Sequence, residues 1–162
     1  MHVRLQLELP ADAKLLGRTR WALLGYLEEV GADDETTGDV ILALDEACAN
    51  VVRHAFPEGT GHFRLSADLS ASEVVIEVED NGVGFSPYEA TALGVEPEAT
   101  SGRGLRIIRQ VMTSVEVESP MAGGGTRVRM RKDLSQAAAE APGPAGGSEA
   151  GPGSVDLTAS TG

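Results

Sequence analysis

The order in which hydrophobic periods change along this chain excludes a doubly wound parallel sheet. Val3, Leu5, Leu7 and Leu9 alternate with Arg4, Gln6 and Glu8, the period of a half-buried strand, and Pro10 ends it. Residues 11–31 follow a helical period, with Leu16, Leu23, Leu27 and Val30 on one side and Gly31 as the stop. A second helix begins near Thr36 or Thr37, either of which suits an N-cap. Its apolar face is Val40, Leu44, Ala47 and Val51, and Phe56-Pro57 closes it. Phe63, Leu65, Ala67 and Leu69 alternate again, and a short turn at 70–73 leads into a strand at 74–78, so these two form a hairpin. A loop over 80–100 follows, with one short helix around 87–93. Residues 104–113 are helical, with Leu105, Ile108 and Met112 inward. Strands at 115–118 and 126–131 flank the turn Gly123-Gly124-Gly125. The second of them reads as an edge strand, with Val128 and Met130 inward and Arg127, Arg129 and Arg131 on a basic outer face. Strands and helices do not alternate in this sum. The economical packing is α+β: a two-layer α/β sandwich whose mixed, mostly antiparallel sheet carries its helices on one face.

Residues 136–162 break the pattern. They hold six Gly, three Pro and seven Ala, with no Lys, Arg or aromatic residue. Such a segment buries too little apolar surface to offset its chain entropy, so it reads as a disordered tail behind one domain at 1–135. The whole chain of 162 residues carries a net charge of −12, which argues against direct nucleic-acid binding. No apolar run approaches the roughly 20 residues that span a bilayer, and the N-terminal residues lack the pattern of a secretory signal. A lone cysteine, Cys48, forms no internal disulfide and reads as a small buried hydrophobe. No membrane and a cytoplasmic location are the expectations.

Four short segments carry polar chemistry. On the second helix Glu46, Asn50 and His54 recur every fourth residue and form one polar stripe beside the buried one. Glu79-Asp80-Asn81-Gly82-Val83-Gly84 follows directly from a hydrophobic strand. A carboxylate at a strand end beside glycines suits recognition of an exocyclic amine such as N6 of adenine. Ser101-Gly102-Arg103-Gly104-Leu105 opens a helix, where free N–H groups and the helix dipole favour phosphate. It is neither a Walker loop nor a dinucleotide fingerprint. Gly123-Gly124-Gly125-Thr126 is the fourth segment. Each also has a plainer reading: a solvated helix face, an Asn-Gly turn, a helix start after a loop, a hairpin turn. His54 reads as helix surface or as a residue supporting the site from behind, and Trp21 as core or interface. Residues 28–46 hold eight acids and no base, either a solvated surface or a face for a basic partner segment.

Taken together, in this order, the four segments resemble the GHKL-type ATP-binding fold of histidine-kinase catalytic domains and gyrase B. E-x-x-x-N at 46–50 resembles the N box, D-x-G-x-G at 80–84 the G1 box, and G-x-G-L at 102–105 the G2 box. G-G-T at 124–126 resembles the last Gly/Thr motif. The runs at 42–55 and 102–112 resemble the stand-alone anti-sigma factor serine/threonine kinases of bacteria. The resemblance implies ATP and Mg²⁺, with Asn50 on the metal and Asp80 accepting from adenine N6, supported by Thr126. Gly82 and Gly84 would lie against the base. Gly102, Arg103, Gly104 and Leu105 would wrap the phosphates, with 86–101 as a lid. Glu46 would be the general base toward a serine or threonine of an anti-sigma factor antagonist. A sigma factor would be the second partner, and a homodimer the common state. The alternative is a non-catalytic nucleotide-binding module acting through protein contacts.

Overall fold

The computed structural model describes residues 2–84 and 102–134. The expected tail at 136–162, the short helix at 87–93 and the lid at 86–101 lie outside the described residues. In chain order the elements are β1 (His2–Pro10), a 3₁₀ turn (Ala13–Leu15), α1 (Leu16–Glu29) and α2 (Asp34–Asn50). The last runs directly into a π-helical turn (Val51–Ala55). Then come β2 (His62–Ser70), β3 (Glu73–Asp80), α3 (Gly102–Val111), β4 (Ser114–Glu118) and β5 (Arg127–Asp133).

The five strands form one sheet in the order β1-β2-β3-β5-β4. The α+β sandwich is as expected, but the sheet is not mixed: all four neighbouring pairs are antiparallel. β4 runs in the same direction as β3, yet the two are not neighbours, because β5 returns from the glycine turn into the place between them. β5 is therefore interior, not the edge strand that its arginines suggested. Those arginines face acids on both neighbours. Arg127 reaches Glu79 at 2.8 Å and Glu118 at 3.0 Å, and Arg131 reaches Glu73 at 3.5 Å. The outer face of the sheet is thus a lattice of alternating charges rather than a basic patch.

The opposite face holds the core, and strand alternation decides its membership. Phe63, Leu65, Ala67 and Leu69 on β2 lie opposite Asp80, Val78, Ile76 and Val74 on β3, all buried. Val128 and Met130 on β5 extend the same row. Leu23 and Leu27 of α1, Val40, Leu44 and Ala47 of α2, and Leu105 and Ile108 of α3 cover it. Lys132 of β5 ties the two layers together: its Nζ donates to Asp39 of α2 and to the Val111 carbonyl at the end of α3, both at 2.6 Å. Trp21 is 78% exposed, so it belongs to the surface of α1 and not to the core.

The helix ends refine the sequence reading. Gly31 stops α1 with φ +80°, a conformation that glycine adopts without strain. α2 starts earlier than its threonines suggested. Asp33 is the cap, and its Oδ1 accepts the Thr36 N–H at 2.7 Å. A carboxylate serves better there than a hydroxyl because it also meets the positive end of the helix dipole. The Thr36 bonds hold the Asp33 carboxyl below its ordinary value of 3.8. A lowered carboxylate pKa gives stability that is present above the ordinary value and lost as pH falls through the folded one. Asp33→Ala should therefore lower the thermal midpoint at neutral pH, and the difference from wild type should shrink in acid. Thr37→Ala should leave the midpoint within error at both pH values, as read by circular dichroism.

Candidate functional site

At one end of the sheet the core face opens. β3 keeps its inward phase through Val74, Ile76 and Val78, and the next inward residue is Asp80. A pocket of about 210 Å³ lies over this point. Its floor is Val78 and Val128, neighbours in register on β3 and β5. α2 contributes Ala47 and Asn50, the π-turn contributes Val51, His54 and Ala55, α3 contributes Leu105, and Gly84 and Thr126 complete the wall. An apolar slot with a few convergent polar groups has the character of a small-molecule site.

Asp80 is 5% exposed and is the one acid that the fold buries among the described residues. Its Oδ1 accepts the N–H of Gly82 at 2.8 Å and of Thr126 at 3.3 Å. Oδ2 is left as the oxygen to meet a ligand. Burial pushes the carboxyl above its ordinary value of 3.8, the two backbone N–H groups oppose that shift, and neighbouring Glu79 adds to it. Thr126 meets Asp80 through its backbone. Its N–H meets the carboxylate, its carbonyl accepts the Asp80 N–H at 2.9 Å, and its hydroxyl bonds Ser119 at 2.7 Å.

Two glycines make this geometry possible. A Cβ on Gly82 would lie 2.1 Å from the Ala55 carbonyl oxygen, because the end of the π-turn crosses there and accepts the Val83 N–H at 3.0 Å. A Cβ on Gly125 would lie 2.0 Å from the Asp80 carbonyl oxygen, and Gly125 has φ +86°. The first was read from the sequence as a place of close approach to a ligand; the structure shows that it is close to the protein's own backbone.

Asp45, beside the polar stripe of α2, pairs with Arg20 of α1 at 2.6 Å. Glu46 and Asn50 turn toward the start of α3. A methyl group on Gly104 would stand 3.0 Å from Glu46 Oε2 and 3.1 Å from both terminal atoms of Asn50. The structure therefore brings Asn50, Asp80, Gly84, Leu105 and Thr126 onto one pocket, with Gly82 behind it. Glu46 and Gly104 meet at its rim. Arg103 is exposed and stands off the wall, and Gly102 is the first residue of α3.

Of the two places the sequence allowed His54, the helix surface is not the one it takes. The π-turn winds by less per residue than an α-helix and carries His54 from the helix surface into the pocket wall. There its Nε2 is buried without a hydrogen-bond partner. Buried polar atoms are nearly always satisfied, by protein, ordered water or a bound molecule. No periodicity argument finds the placement of His54, since it follows from the change in helical winding.

A layer of helices over an antiparallel sheet, with an acid on the core face and a helix start at the pocket rim, is the architecture of GHKL-type ATP-binding domains. Residues 9–132 match the histidine kinase-like ATPase domain model, and the chain belongs to that family. Similar curated proteins include the serine-protein kinases RsbW of Bacillus thuringiensis (strain Al Hakam) and Bacillus anthracis. Each is 28% identical over 142 aligned positions, covering 82% of this chain and 86% of the relative. Among solved structures, the RsbU and RsbW domains of Rv1364c from Mycobacterium tuberculosis align with a TM-score of 0.61 at 21% identity. The match covers 82% of this chain, which spans about a third, 32%, of that protein. The histidine kinase domain of the Erythrobacter litoralis EL346 blue-light activated kinase aligns with a TM-score of 0.51 at 26% identity, over 76% of this chain and 61% of that one.

Two predictions follow from the site's energetics. A buried carboxylate with a raised pKa binds its proton more tightly in the folded state, so stability falls as pH rises from 3.8 through the folded value. Asp80→Asn keeps the acceptor for Gly82 and Thr126 and removes that cost. Its thermal midpoint should equal or exceed that of wild type at pH 7, and the gap should close in acid. The glycines should separate by role. Gly125→Ala should cost about 2 kcal/mol or more in urea unfolding, because both φ and the Asp80 backbone oppose a side chain. Gly104→Ala meets only movable side-chain ends and should cost less than about 1 kcal/mol.

Proposed function

We propose that this chain is an ATP-dependent protein serine/threonine kinase that phosphorylates an anti-sigma factor antagonist and holds a sigma factor. The observation that carries the catalytic part is the meeting of Glu46, Asn50 and Gly104 at the pocket rim. A module that only binds nucleotide needs Asp80 and the apolar slot; it has no use for a second carboxylate poised at a phosphate-binding helix start.

The adenine fills the slot over Val78 and Val128, with its exocyclic amine donating to Asp80 Oδ2. An acceptor at this position selects adenine, because a guanine would turn a carbonyl toward it. The base also comes within reach of His54 Nε2, which has no hydrogen-bond partner among the described residues. The ribose and phosphates then run toward the N-terminus of α3, where Gly104 lets backbone and phosphate approach and the helix dipole favours the charge. Arg103 is near enough in sequence to add charge.

Asn50 offers a hard amide oxygen beside the same helix start, the donor type that Mg²⁺ takes. Among the described residues no cluster of three acids or histidines makes a protein cage for a metal. That fits an ion held by one side chain and by the phosphates. When bound there, Mg²⁺ would neutralise charge on the β- and γ-phosphates.

Glu46 accepts the proton of the incoming serine or threonine hydroxyl. The hydroxyl oxygen bonds to the γ-phosphorus, the bond to the bridging oxygen breaks, and ADP leaves. Cytoplasmic action on a sigma factor and its antagonist, as a homodimer, is the setting that this reading implies. Among the described residues no helix is long and apolar enough to cross a membrane.

The test uses labelled Mg·ATP and a purified antagonist protein from the same genome. Wild type should transfer label to a serine or threonine. Glu46→Gln should slow transfer by about 10²–10⁴-fold while ATP affinity changes little. Full-rate transfer by Glu46→Gln would remove the general-base role. ATP binding by wild type with no transfer would leave the non-catalytic module.

A further inference from the structure

β5 carries one residue that its hydrophobic phase does not explain. The helix-facing positions run Val128, Met130, Lys132 and, just past the strand, Leu134, and all but Lys132 are buried hydrophobics. Lys132 lies opposite Val74, which is fully buried. A lysine in such a row gives up hydration, so its ammonium needs partners. It has two, Asp39 of α2 and the carbonyl of Val111 of α3, and its side chain is 19% exposed.

The end of α3 reaches the sheet without Lys132. The Thr113 N–H donates to the Arg131 carbonyl at 2.8 Å, and the Thr113 hydroxyl accepts the Asp133 N–H at 2.9 Å. What Lys132 adds is α2, because one ammonium bonds both helices.

A second contact lies farther along the same two helices, where Gly104 of α3 meets Glu46 and Asn50 of α2. Asp39 precedes Glu46 by seven residues, and Val111 follows Gly104 by seven. Seven residues make nearly two turns, about 10 Å along the axis and within about 20° of the same face. α2 and α3 therefore run antiparallel, and the two contacts lie equally far apart on both. A slide of α3 by one turn, about 5 Å, would carry Val111 away from Lys132 and Gly104 away from Glu46 together.

We infer that Lys132 is a positioning residue: by tying Val111 to Asp39 it sets the register of α3 on α2, and so holds Gly104 beside Glu46 and Asn50. This role rests on the reading of that end of α3 as the phosphate site. Thr126, just before the start of β5, meets Asp80. One strand then places both the acid that reads the base and the helix that takes the phosphates.

Lys132→Met in the full chain tests this role, since methionine suits the apolar row and removes both bonds. The thermal midpoint should stay close to that of wild type by circular dichroism. Amides 106–111 should exchange with deuterium about tenfold faster than in wild type, with those of β2 and β3 unchanged. Affinity for Mg·ATP should fall about tenfold by calorimetry. Adenosine, which has no phosphate to place, should bind as it does to wild type in an NMR titration. A general loss of stability would weaken both ligands alike. Asp39→Ala keeps the lysine bond to Val111 and removes its tie to α2. It should move exchange and Mg·ATP affinity in the same direction, and it serves should the lysine variant fold poorly. Wild-type exchange over α3 or wild-type affinity for Mg·ATP in a folded Lys132→Met would overturn the inference, as would equal losses for ATP and adenosine. A wild type that binds no ATP would overturn the functional reading instead, and exchange over α3 would still decide whether Lys132 sets the register.

Discussion

Asp80 sits at the end of a row of core side chains, where a carboxylate is costly unless its charge is compensated. The compensation comes from two backbone N–H groups on segments far apart in sequence, Gly82 and Thr126, converging on one oxygen. That convergence requires β5 to lie beside β3, the π-turn to cross over Gly82, and glycine at 125 where the chain passes the Asp80 carbonyl. Much of the architecture at this end of the sheet is therefore set by the placement of one acid. The compensation is incomplete, since burial still raises the carboxyl above its ordinary value. The residual cost is what a ligand's donor would relieve, and it is a common feature of sites whose function opposes stability.

The two faces of the sheet divide the work. The helix face supplies hydrophobic burial up to Val78 and Val128 and then becomes the pocket floor, so core and site are one continuous surface. The outer face carries alternating arginines and acids. Exposed ion pairs contribute little net stability; in the observed alignment of β3 and β5, Arg127 lies beside Glu79 and Arg131 beside Glu73. Holding that alignment keeps Thr126 opposite the end of β3, where the carboxylate needs it.

Much of this was legible in the residues. Two-residue alternation located β1, β2, β3 and β5, the turn at 70–73 separated β2 from β3, and Gly31 marked the end of α1, because those signals are local. The four polar segments were also legible, as was the tendency of Glu46 and Asn50 to share a helix face. What escaped was non-local. The β4–β5 hairpin shows that those strands pair, but not which of them meets β3, so the arginines of β5 looked like an exposed edge. The cap of α2 fell to Asp33 instead of a threonine because both residue types suit an N-cap and only the path of the chain chooses. His54 was read on an α-helical wheel, and a single π-turn moved it into the pocket.

The central claim is that Asp80 reads an adenine amine in this pocket, and calorimetric titration of the full chain with Mg·ATP and Mg·ITP tests it most directly. The two nucleotides differ at the base, where inosine turns a carbonyl toward the position that adenine fills with an amine. ATP should bind, and ITP should bind more weakly by about tenfold or more, the penalty for facing a carboxylate with an unpaired acceptor. Equal affinities, or no binding of ATP, would contradict the account.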